Sequence, residues 1–416
     1  MEPENNSISV NNFEEEKVQI ARGKVKTVYE HQPYNLLTIE YSDDLSCFNS
    51  YRCFINDKGK ILNYINAWWM KQTEHIIPNH YLTHSDKNLL AKKCKRIDIE
   101  VIVRAYYTGS LCREGNASKY GIELPKDLVK DQKFEKPIIT PTTKDDDDLP
   151  LTEKQIFEKN LATPDQWEYI KQKALELFRY GENIAIEKGL ILVDTKYEFG
   201  FDEENRIVLI DEIHTPDSSR FWDINNKNTY DKDHVRNFVL KNPDQEIPQE
   251  LKDKTRDVYS QLYTILTGLE IDNENNNIYQ EYMNNVCPLV VVIAGSKSDL
   301  EFVKKINKEL TNKGIIYHNY FHSAHKETYK VMSIIDKYNY RKAKTVFVTV
   351  AGCSNALGGV VAANTRKPVI NCPPFKDNLD MHINLNSSIM MPSGVPSSII
   401  IRPDNLASFI NKIFSF

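Results

Sequence analysis

The sequence predicts two folds in one chain, an α+β unit followed by an α/β unit built as a three-layer, doubly wound parallel sheet. Three observations carry this expectation. Before residue 271, alternating strands such as RIVLIDEIHT are mixed with helical patterns such as PDQWEYIKQKALELFRYGENIAIEKG. After residue 286, strand and helix patterns alternate: PLVVVIAG, IIYHNYF, TVFVTVAG and PVINCPP read as strands, and helices start at about Asp299 and Lys326. Between the two, IDNENNNIYQEYMNN is polar and Asn-rich, which sets domains at 1–270 and 287–416 with a linker at 271–286.

The elements follow in order. ARGKVKTVYE reads as a strand with Lys24 and Lys26 two apart on one face; there they either line a polyphosphate site or are solvated edge lysines. The long helix starts at Thr163-Pro164 as N-cap and first turn and ends at Gly189. ILVDTKYEFGFDEENRIVLIDEIHT reads as a hairpin with a four-residue loop, Asp202 to Asn205, and Phe201 opposite Arg206. That register sets Lys196 opposite Asp211 and Glu198 opposite Leu209. Asp194, Lys196, Glu198 and Asp211 then share one face, with Val193, Phe199 and Ile210 on the other. In the second unit VFVTVAG suits a strand buried on both faces, and it breaks into AGCSNALGG, whose glycines either admit a ligand to the backbone or pack beneath a helix.

Composition narrows the classes. A net charge of -5, from 53 Lys+Arg against 58 Asp+Glu, gives no bias toward nucleic acid or anionic membrane. Seven cysteines, at 47, 53, 94, 112, 287, 353 and 372, form no C-x-x-C pair, so neither a disulfide framework nor a zinc site is expected and a reducing compartment is. The N-terminus MEPENNSISVNNFEEE is acidic, and no run of about 18 apolar residues occurs. The expectation is a soluble cytoplasmic protein with no membrane partner and no nucleic-acid partner.

Candidate chemistry lies at strand ends. In a doubly wound sheet ligands sit beyond the carboxyl ends of the strands. Gly295-Ser296-Lys297-Ser298-Asp299 offers glycine, hydroxyls and a helix start suited to a phosphate, or simply turn and cap chemistry. His322-Ser323-Ala324-His325-Lys326 offers a proton carrier beside an anion-binding lysine, or a surface histidine. In the first unit, three carboxylates and a lysine on one sheet face would be costly to bury without a cation, so magnesium with nucleotide phosphates is one reading and a solvated face the other. IVRAYYTGS adds Arg104 and Ser110 around a glycine turn. TPTTKDDDD adds a lysine beside an acidic run.

The motifs GSKSD, SAHK, AGCSNALGGVVAANT, PVINCPP and NSSIMMPSG, in that order, resemble aminoimidazole ribonucleotide (AIR) carboxylase. The resemblance implies that Ser296 and Asp299 hold the nucleotide's phosphate and ribose, that His325 carries the proton with Lys326 binding an anion beside it, and that Ser354 and Asn355 belong to the site. It implies no cofactor for this half. Where the bacterial and plant branch typically reads GGAAHLPG, this chain reads GCSNALGG, and its Ser-Asn form resembles the branch, found in animals, that adds carbon dioxide directly. GKVKTVYE, KGKIL, VRAYYTGS, TPTTK, LVDTKYEFG and LIDEIHTPDSSRFW resemble the SAICAR synthetase family over about residues 18 to 240. This implies an ATP-grasp-like α+β fold, Lys24 and Lys26 near the ATP phosphates, Glu198 and Asp211 holding Mg2+, and Arg104, Ser110 and Arg220 binding the carboxylated nucleotide.

One segment departs from that family: Ser42-Asp43-Asp44-Leu45-Ser46-Cys47-Phe48-Asn49 replaces an arginine by Asp44 and an aspartate by Asn49. The two resemblances join into one expectation, a bifunctional enzyme of purine biosynthesis, lyase and ligase, with AIR, carbon dioxide, aspartate and ATP as substrates and a homo-octamer formed through the carboxylase domain. The alternatives are a mutase second domain fed by an N-carboxylated nucleotide, or a nucleotide-binding regulatory protein with a degenerate ligase half.

Overall fold

The computed structural model describes residues 17–31, 35–47, 50–113, 115–125, 127–145, 148–271, 278, 282, 285–353 and 355–415. The chain separates into two compact units, Val18–Ile278 and Tyr279–Phe416.

The first unit opens with β1 (Lys17–Arg22), exposed along its length, β2 (Lys26–His31), β3 (Leu36–Tyr41) and a short pair, β4 (Asp44–Cys47) with β5 (Ser50–Phe54). After the helix Lys58–Thr73 come β6 (Tyr81–Ser85), β7 (Asn88–Lys92), β8 (Lys95–Tyr106) and β9 (Lys133–Thr143). The helix Pro164–Glu187 precedes β10 (Leu190–Phe201), β11 (Ile207–Ile210) and β12 (Ser219–Asp223). Two five-stranded sheets result, one in the order β1-β2-β3-β7-β6 and one in the order β11-β10-β8-β9 with β12 on β10. Their apolar faces share one core with the helices Lys58–Thr73, Pro164–Glu187 and Gln249–Thr267, in which Trp69, Trp167, Tyr197 and Tyr259 are fully buried. The long helix starts as its sequence requires: Thr163 and Gln166 form a reciprocal capping box with Pro164 in the first turn.

The second unit is an all-parallel sheet in the order β14-β13-β15-β16-β17, made of β13 (Leu289–Ala294), β14 (Ile316–Phe321), β15 (Thr345–Val350), β16 (Val369–Asn371) and β17 (Ser398–Ile399). β13 and β15 are buried at every position, as parallel strands covered on both faces must be. Among the described residues no helix is long and apolar enough to cross a membrane, and every described cysteine is free.

Candidate functional site

A cavity of about 1270 Å³ opens in the first unit, lined by residues of both sheets, from Ile20, Val28 and Ile39 to Glu100, Lys196 and Ile210. Eight cationic and eight acidic side chains line it, a balance suited to a polyanion arriving with a cation rather than to either alone.

Strand pairing builds the first charged group. Glu198 is opposite Glu100 across β10 and β8, and Lys196 is opposite Ile102, so Lys196 reaches both carboxylates, at 2.7 Å from Glu100 Oε1 and 2.7 Å from Glu198 Oε1. Lys144, just beyond β9, donates to the same two oxygens at 2.9 and 2.6 Å. Burial works against Glu100's charge, but Lys196 and then Lys144 outweigh it and hold the carboxyl below its ordinary value. Lys144 had only an acidic run beside it in the sequence; the fold makes it the second partner of Glu198.

The second group is Lys26 with Asp211 Oδ1 at 2.6 Å and Glu212 Oε1 at 3.0 Å. Asp211 is buried, which would raise its pKa, yet Lys26, Lys196 and Lys144 hold it well below the carboxylate range. Thr215 Oγ1 donates to Glu212 Oε2 at 2.6 Å and fixes that carboxylate in turn.

Three expectations are corrected here. Lys24 and Lys26 do not share a strand face: Lys24 is in the turn between β1 and β2, and both reach the cavity because that turn overhangs it. The hairpin register is one residue off the expected one, with Phe201 opposite Ile207 and Glu198 opposite Ile210. Ile210 therefore lines the cavity beside Glu198 rather than the opposite face. Asp211 is beyond the end of β11 with φ 64°, and that left-handed residue, not strand alternation, returns its carboxylate to the cavity.

The donor set suits magnesium. Glu198 and Asp211 supply hard carboxylate oxygens, and nearby lysines can take phosphate oxygens, the arrangement in which magnesium is held by one or two carboxylates and the substrate's phosphates. Among the described residues no three acidic, histidine or cysteine side chains converge as a ready-made ion site.

Arg104, Ser110 and Arg220 come together, though none of them lines the large cavity. Arg104 Nε donates to Thr140 Oγ1 at 2.9 Å, and its two terminal nitrogens reach Asp194 Oδ2 at 3.0 Å and Ser110 Oγ at 3.3 Å. Arg220 donates to the same Asp194 oxygen at 2.5 Å, which raises its already high pKa. Arg220 Nε also lies 3.5 Å from Asp233 Oδ2, so the two guanidiniums are shared between Asp194 and Asp233, and both offer planar donor groups suited to a carboxylate or phosphate.

Sequence reasoning missed several residues. Lys58, fully buried, pairs with Asp217 at 2.8 Å, and Asp217 lines the cavity with Lys232 and Arg236. Asp231 is fully buried with Oδ2 lacking any hydrogen-bond partner, and burial and then Asp233 push its carboxyl up to about 7. Asp231 stands in the turn just before the helix Asp233–Lys241, where no periodic pattern signals burial. Ser46 and Cys47, in the segment set aside as atypical, line the cavity, while Phe48 and Asn49 lie outside the described residues.

In the second unit the three strand ends stand side by side. Ala294 pairs with Phe321 and with Val350, His322 N–H donates to the Ala294 carbonyl at 2.9 Å, and Gly295 N–H donates to Val350 at 2.9 Å. Ser296 Oγ accepts from Ser298 N–H and Ser298 Oγ, at 3.1 and 2.8 Å, and Asp299 is raised by partial burial. His325 and Lys326 are exposed in the turn after β14, while His322 is tied to Glu327 at 3.0 Å.

Ser354 lies outside the described residues. Asn355 is buried and fully engaged: it caps the helix Ala356–Asn364 by accepting from Gly358 N–H, donates to Ser388 Oγ at 2.9 Å, and its own N–H donates to Ser387 Oγ at 2.6 Å. Asn384 holds Cys353 N–H at 2.6 Å. The NSSIMM segment thus pins the glycine loop from behind. Gly358 answers to packing: a Cβ there would collide with Asn371 Oδ1 and stand 2.9 Å from Asn355 Nδ2.

The comparisons with known proteins agree with this division. A model of the SAICAR synthetase family matches residues 19–254 and one of AIR carboxylase matches 289–416. A putative phosphoribosylaminoimidazole-succinocarboxamide synthase 2 of Agrobacterium fabrum is 39% identical over 274 residues, 59% of this chain and 86% of that protein. A chloroplastic synthase of Vigna aconitifolia is 42% identical over 214 residues, 49% of this chain and 62% of its own length. The structure of SAICAR synthase from Saccharomyces cerevisiae complexed with SAICAR, 32% identical, superposes with a TM-score of 0.55 over 61% of this chain and 96% of that one. The chain belongs to the SAICAR synthetase family and carries an AIR carboxylase domain behind it, the make-up of a bifunctional enzyme of purine biosynthesis.

Proposed function

We propose that the two domains run consecutive reactions: the second adds carbon dioxide to C4 of aminoimidazole ribonucleotide, and the first uses Mg-ATP to join aspartate to the carboxylate so formed. The observation that carries the ligase half is the cavity in which Lys26, Lys144 and Lys196 are balanced by Glu100, Glu198 and Asp211. Arriving phosphates can take the lysines while the released carboxylates take a cation. A SAICAR synthetase 26% identical with a TM-score of 0.50 is known in complex with ADP, which supports ATP as the nucleotide. The reading includes an ATP-grasp-like arrangement, with Lys24 and Lys26 at the phosphates and Glu198 and Asp211 at the metal. Magnesium, when bound, would neutralise phosphate charge during transfer.

In the ligase, Arg104, Ser110 and Arg220 would orient the carboxylated nucleotide. Its carboxylate oxygen takes the γ-phosphoryl group, giving an acyl phosphate and ADP. The amine of aspartate then attacks the carbonyl carbon, the C–O bond to phosphate breaks and a proton leaves nitrogen. The protein's part is placement and charge stabilisation.

In the carboxylase, a C–C bond forms at C4 and the C4 proton leaves, with His325 as its carrier and Lys326 beside it for an anion. Carbon dioxide has three heavy atoms, worth at most about 4.5 kcal/mol at ~1.5 kcal/mol each, or a dissociation constant no tighter than roughly millimolar. The ribonucleotide, fixed at Ser296 and Asp299, must therefore complete the site, with Ser354 and the glycine-rich backbone offering donors to the small oxygens. The Ser354-Asn355 sequence, which resembles the branch that carboxylates directly, favours direct carboxylation over the mutase reading. The reading includes a cytoplasmic homo-octamer formed through this domain; exposed Leu379 and Ile383 on the helix Asn378–Ile389, with Met390 just after it, offer an apolar surface for association.

The test is product formation from ribonucleotide, bicarbonate, aspartate and ATP with each omitted in turn. Labelled carbon dioxide should enter the carboxylated nucleotide without ATP, and Ser354→Ala should raise the bicarbonate requirement far more than the nucleotide KM. Turnover only with the N-carboxylated isomer would establish the mutase; binding without turnover would establish the regulatory protein.

A further inference from the structure

The segment from Asp211 to Ser218 brings Asp211, Glu212, Asp217 and Ser218 to the cavity. It does so through two left-handed residues, Asp211 at φ 64° and His214 at φ 52°. Non-glycine residues keep such conformations only where the surroundings over-determine them. Here two uncharged, fully buried side chains do so.

Asn66, on the helix Lys58–Thr73, donates from Nδ2 to the Asp211 carbonyl at 3.1 Å and accepts at Oδ1 from Ile213 N–H at 3.0 Å. Only a side chain that both donates and accepts from one planar group can bracket the turn in this way. The same Nδ2 donates to Tyr41 Oη at 2.9 Å, which fixes the amide's orientation.

His214 meets Tyr197 Oη at 2.6 Å and stacks edge-on to Trp69 with ring centres 4.6 Å apart. Its third wall is Gly181 of the helix Pro164–Glu187, where a Cβ would collide with the imidazole Cε1 and stand 2.7 Å from Nδ1. A glycine inside a helix is normally unfavourable, so its presence here is explained by the ring it admits. Burial pushes His214 down to about 3, so it is neutral and does not compete for phosphate.

We propose that Asn66 and His214 are positioning residues of the ligase, which hold the turn at Asp211 so that its carboxylate faces the cation and phosphates of the bound nucleotide. The proposal rests on the reading of Asp211 as a magnesium carboxylate. Neither residue lines the cavity, and no motif in the sequence links position 66 or 181 to position 211.

The test titrates the full-length protein with ATP by calorimetry, with and without magnesium, well below its melting temperature. The variants are Asn66→Ala, Gly181→Ala and, as a control from the same helix as Asn66, Ile65→Ala, which removes core volume but no hydrogen bond. In Asn66→Ala and Gly181→Ala, ATP affinity in magnesium should fall by about 10-fold or more, while magnesium-free affinity stays within about two-fold, the range seen when residues that orient metal ligands are removed. Ile65→Ala should lower the melting temperature and leave both affinities unchanged. An equal effect in Ile65→Ala, or an unchanged magnesium-dependent affinity in Asn66→Ala, overturns the proposal. A wild-type protein whose ATP affinity ignores magnesium overturns the metal assignment itself, and the proposal with it.

Discussion

Arg104 and Arg220, 116 positions apart on β8 and β12, donate to the same oxygen of Asp194, at 3.0 and 2.5 Å. The carboxylate is buried, and among the described residues these two guanidiniums are its ion-pair partners against desolvation. Asp194→Asn would leave two guanidiniums facing a neutral amide. The expected cost is about 3–5 kcal/mol, the range for breaking a buried pair by removing one partner. It should appear as a lower denaturant midpoint for the ligase domain, with carboxylation unaffected. A loss under about 1 kcal/mol would place the pair in the weak, solvent-screened class instead.

Asp211→Asn should raise the magnesium concentration needed for ligation by about 10-fold or more while carboxylation keeps its rate, since the change removes a charge from the proposed metal site and nothing from the other domain. Initial rates of both reactions across a magnesium series decide the matter. A parallel decline of both activities would mean a folding defect.

His325→Asn should abolish carboxylation yet leave ligation of supplied carboxylated nucleotide within about a few-fold of wild type, because the proposed proton transfer needs a side chain that can take up and release a proton and asparagine cannot. Equal loss of both activities in a folded protein would refute independent sites.

Asp231 gives a pH signature. Its carboxyl is raised from 3.8 to about 7, by burial first and Asp233 second. Between these values the folded state holds a proton that the unfolded state has released, so the contribution of Asp231 to stability falls as pH rises from about 4 to about 7 and levels off above. Asp231→Asn removes that slope. The variant's denaturant midpoint should match wild type near pH 4 and exceed it increasingly up to pH 7. A constant difference across this range would show that Asp231 does not titrate there.

The parallel sheet was legible because VVVIA and TVFVTV are apolar at every position, which only a strand covered on both faces tolerates. The cap at Thr163 was legible because its chemistry is local. Motif order grouped Lys24, Lys26, Glu198 and Asp211, and all four line the cavity, but their geometry was not legible. A hairpin register depends on where β10 and β11 stop pairing, and a single left-handed residue after Ile210 cancels the alternation from which a face would be read. Partners such as Lys144 with Glu198, or Asn66 with the Asp211 carbonyl, stand 54 and 145 positions apart and carry no periodic trace. The sequence by itself determined two domains, their sheet types and the chemistry each strand end can offer, because those follow from local pattern. Only the tertiary structure decided which lysine balances which carboxylate, that Asn355 is consumed as a helix cap, and that burial and Asp233 outweigh Arg236 and Arg220 at Asp231. Those outcomes depend on desolvation and on contacts between distant segments, which exist only once the chain has closed on itself.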